Sequence, residues 1–189
     1  MEVLFFETNH DGATKQVYTA RRNVFHKMGA FGEFHLFGSA ASASNLLGLT
    51  KSSWQLFSGL GHGHPDEFRG YNDQPVANVA DAPGTSARFS EKFVHLYSCN
   101  TAKLLGPEMI KWAAKAFIGY NDYVTLASTA ALEEQFIALS KEVDRSILAG
   151  DNHTVTKTKA DAEYQRVRAL LTAPVSSATP GDVAAFDLN

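Results

Sequence analysis

Seven histidines and a single cysteine are the residues of this chain best suited to proton-transfer, metal or nucleophilic chemistry. Two of the histidines, His62 and His64, stand among glycines in "LFSGLGHGHPDEFRG" (56–70), directly after an apolar run. Histidine moves protons near neutral pH and ligates metals, and glycine is placed where backbone must bend or approach another group closely. The cysteine, Cys99, ends a second apolar run, "FVHLYS" (93–98). A nucleophilic cysteine needs a histidine near enough to take or share its proton. Cys99 and His62 meet that need if their runs are neighbouring strands. The backbone N–H groups of Gly63 and Cys99 then make a candidate oxyanion hole.

Positioning these residues requires a sheet. "VLFF" (3–6), "EFHLFG" (33–38), "WQLFSGL" (54–60), "FVHLYS" (93–98) and "AFIGY" (116–120) read as five strands. Helical stretches are expected at 16–28, in "SAASASNLLGL", at 107–115, after Thr129 and again through Leu171. The clearest places Leu132, Phe136, Leu139, Val143 and Ile147 on one face and stops at Gly150. In the next, Ala160, Tyr164, Val167 and Leu171 share a face. Short apolar strands alternating with helices predict an α/β fold with a mainly parallel sheet. Ligand crevices in such sheets lie at the carboxyl ends of the strands, where both His62 and Cys99 fall. Residues 70–92 carry two prolines and two glycines and read as a long loop of the kind that is often functional.

Composition narrows the function classes. With 189 residues, 44% hydrophobic and 20% charged, one domain over 1–175 is expected, followed by a loose tail at 176–189. Seventeen Lys and Arg against 20 Asp and Glu give a net charge of −3 with no basic block, which argues against nucleic acid as the main partner. "MEVLFFETNH" reads as a strand start and not as a signal peptide. No run approaches the ~20 apolar residues of a membrane span. One cysteine makes no intramolecular disulfide, and a reducing cytoplasm is the expected setting.

"LFSGLGHG" followed by "FVHLYSC" resembles the caspase-like cysteine peptidases, the superfamily of caspases, gingipains, clostripain and separase. The stretch from "SCNTAKLLG" through "RSILAG" is similar to the gingipain and CHAT branch, with a Leu-Gly helix, a strand ending in Gly-Tyr and a long helix closed by Gly. The likeness spans roughly residues 33–150. It implies a caspase-like three-layer α/β fold, with helices flanking a mainly parallel sheet. It further implies a cysteine endopeptidase in which His62 is the base, Cys99 the nucleophile and Gly63 N–H an oxyanion donor. Such chemistry uses a protein or peptide substrate and needs no cofactor and no metal. A CHAT-like scaffold that binds partner proteins in a larger assembly is the non-catalytic alternative.

A third reading starts from "HGHPDE" (62–67), which matches His-x-His-x-Asp, the opening of the metallo-β-lactamase zinc motif. It makes His62, His64 and Asp66 metal ligands. Against it, Glu67 stands where that family has another His, and no later His lies in a Gly-rich turn. His95 lies inside a strand and reads as packed, and His10, His26, His35 and His153 read as surface residues. Glu7, Asp11 and Asp122 follow strands at the site edge and are the candidate substrate-binding residues. Asp73 and Asp81 in the loop add negative charge against Arg69 and Arg88, favouring a basic residue before the cleaved bond.

Overall fold

In chain order the strands are β1 (Val3–Glu7), β2 (Glu33–Phe37), β3 (Leu56–Leu60), β4 (His62–His64), β5 (Glu67–Arg69), β6 (Pro75–Asn78), β7 (Phe93–Tyr97) and β8 (Ala116–Ile118). The computed structural model describes residues 1–25, 32–49, 53–174 and 176–188. The helices are α1 (Gly12–Phe25), α2 (Ala43–Gly48), α3 (Ala82–Phe89), α4 (Leu105–Lys111), α5 (Ala130–Leu148), α6 (His153–Leu171) and α7 (Pro180–Asp187).

Five of the strands are the apolar runs expected from the sequence. They pair in the order β2-β1-β3-β7-β8, every pair parallel. The fold is therefore α/β, with a parallel central sheet flanked by helices. β1 and β3 are buried along their whole length, as inner strands of a parallel sheet covered on both faces must be. Leu4 and Phe6 of β1 and Phe57 of β3 enter a core with Val94 and Leu96 of β7, Leu46 of α2, Phe89 of α3 and Met109 of α4.

Two compact units divide the stretch expected as one domain. Met1–Lys15 with Phe31–Val124 form a sheet unit, and Gln16–Ala30 with Thr125–Asn189 form a helical unit. In the helical unit, Leu132 and Phe136 of α5 pack with Val167 and Leu171 of α6 and Phe186 of α7. Each helix start carries a side-chain cap: Thr129 accepts from Leu132 N, Asn152 from Val155 N and Thr179 from Asp182 N. Gly150, at φ +84°, closes α5 in a left-handed turn that suits glycine.

Two expectations are corrected. Residues 70–92 are not one loop: β6 and α3 lie within them, and β4, β5 and β6 form a separate antiparallel sheet. Hairpin strands of three and four residues are too short to show a period, and Pro75 reads as a breaker although it sits at the first residue of its strand. Their anchor is Phe68, fully buried between Phe6 and Phe57. Nor is the tail loose throughout, because α7 forms there behind a capping box made by Thr179 and Asp182. The end of the helix expected over 16–28 lies partly outside the described residues, and so does His26. No helix among the described residues is long and apolar enough to cross a membrane.

Candidate active site

His62 and Cys99 are brought to one sheet edge by register. β3 pairs with β7 so that Leu60 faces Tyr97, the last matched pair. His62 and Cys99 each lie two residues farther on. Between them the backbones nearly touch: a Cβ built on Gly63 would lie 2.3 Å from the Cys99 carbonyl oxygen, 2.3 Å from Ser98 Oγ and 2.9 Å from Thr101 Cγ2. Any side chain larger than hydrogen at this position meets backbone, which explains the glycine after His62.

The hairpin of β4 and β5 holds the histidine. His62 pairs with Arg69 and Gly63 with Phe68, so the buried Phe68 ring fixes the strand that carries the imidazole. The His62 ring has one hydrogen-bond partner among the described residues, Asp11 Oδ2, which meets Nε2. Asp11 lies at the start of α1. Its other oxygen, Oδ1, accepts from Thr14 N and Thr14 Oγ1, both at 2.8 Å. One carboxylate thus caps the helix and orients the histidine. Burial pushes the Asp11 carboxyl up, but hydrogen bonds from the Thr14 amide, the His62 ring and the Thr14 hydroxyl outweigh it and hold it down at about 2. An ionised Asp11 accepts, so Nε2 of His62 carries the proton and Nδ1 of the neutral ring presents its lone pair.

Cys99 is half-buried and unbridged. Its sulfur accepts a hydrogen bond from Val124 N at 3.3 Å, which sets the direction of the side chain. Its own N–H has no partner among the described residues. The next residue, Asn100, takes a left-handed φ of +58° and donates its N–H to Asp122 O at 2.9 Å. Ala102 N donates to Tyr120 O at 3.0 Å, so the turn after β7 is laced to the segment that follows β8.

The other expected site residues fall out as follows. Asp122 reaches this edge through its main chain, and its carboxylate accepts from Tyr123 N. Glu7 is buried at 1% exposure in β1 and does not line an open pocket. Asp11 contacts the His62 ring at this edge. Asp81 caps α3 through Gly84 N and pairs with Arg88, while Arg69 pairs with Glu67. His64 is exposed on β4 opposite Glu67. Among the described residues, the group with metal-ligand spacing is His10, Asp11 and His62, without His64 or Asp66.

His10 was expected at the surface and lies in the site instead, its side chain 10% exposed and its ring 5.5 Å from that of His62. "TNHDGAT" reads as a turn, and Asp11 was placed at the site edge from it, but His10, which also follows β1, the neighbour of β3, was not. The strand-end rule that marks His62 and Cys99 applies to His10 equally. His95 is buried in β7 as expected, His153 is exposed, and His35 stacks on Phe5 and bonds Glu33. No protein-family model matches the chain, and no curated protein matches it significantly.

Proposed function

We propose that the protein is a cysteine endopeptidase in which Cys99 is the nucleophile, His62 the base and Asp11 the residue that orients it. The observation that carries this reading is the Gly63 backbone lying against Cys99, with the preceding residue, His62, held at Nε2 by the Asp11 carboxylate. His62 Nδ1 takes the thiol proton, and the thiolate attacks the peptide carbonyl. Charge then develops on the carbonyl oxygen, where the unpartnered Cys99 N–H and the Gly63 N–H are the candidate donors. Collapse expels the amine, which leaves with the proton from His62. Water, deprotonated by the same nitrogen, then frees the acid from the thioester. Asp11 stabilises the imidazolium at each stage and keeps its ring in place.

No step needs a metal or cofactor. A reducing, cytoplasmic setting suits a catalyst that depends on one unoxidised thiol. The substrate is a protein or peptide, and its residue before the cleaved bond is proposed to be basic. Arg69 and Arg88 are engaged by Glu67 and Asp81, whereas Asp73 retains 52% exposure. A fluorogenic peptide panel varied at that position tests the proposal. Cleavage after Arg or Lys that disappears in Cys99→Ala supports it. Cleavage after Asp overturns the specificity, and no cleavage of any peptide, or cleavage unchanged in Cys99→Ala, overturns the activity.

A further inference from the structure

His10 takes no part in the chemistry above, and its surroundings are wrong for an idle imidazole. Its Nδ1 and the Thr8 hydroxyl are hydrogen-bonded at 2.6 Å, which fixes the ring. The other nitrogen, Nε2, is shielded from solvent and makes no hydrogen bond. Yet it faces Asp73 Oδ1 at 3.4 Å and Asp11 Oδ2 at 3.8 Å. Both separations exceed the roughly 2.7–3.2 Å of an N–H···O bond. They are close to another distance: two ligands each ~2.1 Å from a tetrahedral cation stand ~3.4 Å apart. His62 Nε2 approaches the same Asp11 oxygen, and one ligand atom from each of His10, Asp11 and His62 lies within 4.8 Å of the others.

We infer that His10, Asp11 and His62 form a site for a zinc-type divalent cation, and that filling it withdraws His62 from Cys99. Two imidazoles and a carboxylate suit a borderline cation and not magnesium or calcium. Thr8 serves as the outer partner that holds His10 in the ligating tautomer. The inhibitory consequence rests on the proposed role of His62. A neutral imidazole metallated at Nε2 keeps its one proton on Nδ1, the nitrogen that must otherwise accept the thiol proton. The cation therefore silences the thiol without touching it.

The test titrates Zn²⁺ into the full chain against a chromophoric zinc indicator, and measures iodoacetamide alkylation of Cys99 with and without the metal. Wild type should take up one equivalent, with excess Mg²⁺ failing to displace it, and alkylation should slow at least tenfold until a chelator is added. His10→Ala should weaken binding by about 100-fold or more, since loss of an outer partner alone costs about 10- to 100-fold. In that variant the ratio of alkylation rates with and without zinc should approach one. Cys99→Ser should bind like wild type. The site is overturned if wild type takes up no zinc, a result that stands even if His10→Ala fails to fold. It is also overturned if Cys99→Ser loses binding while His10→Ala retains it, which would put the cation on the thiol. Zinc uptake at His10 without any peptide cleavage keeps the site and removes the peptidase reading. Peptide cleavage with no zinc uptake does the reverse, and zinc uptake that leaves alkylation unchanged keeps the site and overturns the withdrawal of His62.

Discussion

The sheet unit and the helical unit treat local rules differently. In the helical unit, α5, α6 and α7 each begin on a Thr or Asn cap, and the left-handed residue among those described is a glycine, Gly150. All five described non-glycine residues with positive φ, namely Asn72, Asp73, Glu91, Asn100 and Ala113, belong to the sheet unit. Shielded, unbonded side-chain oxygens occur in both units, Ser98 Oγ in the sheet unit and Ser140 Oγ in the helical unit, but the shielded, unbonded His10 Nε2 and the crowded Gly63 belong to the sheet unit. Two of the strained residues, Asp73 and Asn100, stand beside His10 and Cys99. Departures from local preference are tolerated where surrounding structure over-determines them, and they gather where a site must be held. In the sheet unit, Asp73, Asn100 and Gly63 place such departures beside His10, Cys99 and His62.

The sharpest way to break this contrast is at Asp11. In Asp11→Asn the amide oxygen can still cap Thr14, but the amide N–H₂ donates to His62 Nε2 and moves the ring proton to Nδ1, the nitrogen proposed to take the thiol proton. Peptide cleavage should fall roughly 1,000-fold, within the range of a misdirected general base. The melting temperature should change little by comparison. A loss of stability as large as the loss of rate would make Asp11 merely a helix cap.

Gly63→Ala comes next. Its Cβ would meet the Cys99 carbonyl and Ser98 Oγ, each at 2.3 Å, so β4 or the turn after β7 must yield. Overpacking of this kind costs about 1–3 kcal/mol. A shift of about 1 Å at the site costs about 100-fold in rate. Steady-state kinetics with urea unfolding would separate the two effects, and full activity would show that close approach at Gly63 is not needed.

Most of the architecture was legible because it rests on long, strongly patterned segments. The five parallel strands are apolar runs, and the face of Leu132, Phe136 and Ile147 repeats at helical spacing over nineteen residues of α5. The placing of His62 and Cys99 at one sheet edge was legible for the same reason, since it follows from strand ends. What escaped is short or depends on distant partners. β4 and β5 have three residues each and gain their stability from Phe68 in a core assembled from elsewhere in the chain. His10, and the contact of Asp11 with His62, arise in a polar turn whose meaning depends on β1 lying beside β3. No local pattern reports that adjacency.

The smallest expected effect belongs to the helical unit. Asp182 is buried and accepts from Thr179 Oγ1, Thr179 N and Ser128 N. The Thr179 hydroxyl first, and then the two amides, hold its carboxyl well below the usual range. A lowered folded pKa contributes stability that is fully present above the unfolded value, about 3.9, and is lost as pH falls toward the folded one. Asp182→Ala should therefore cost about 1–2 kcal/mol at pH 7. Urea unfolding should show the gap narrowing as pH falls below about 3.9, toward the folded value. A gap independent of pH would place the effect in packing and not in the charge.

The proposed pairing makes Cys99 a nucleophile served by His62. It is tested most directly by the rate at which iodoacetamide alkylates Cys99 in the native, metal-free protein at pH 6.5, followed by mass spectrometry. Alkylation should run about tenfold faster than for free cysteine and fall to the free rate or below in His62→Ala, because the imidazole shares the thiol proton. Alkylation that occurs only after unfolding, or that is unchanged by His62→Ala, would contradict it.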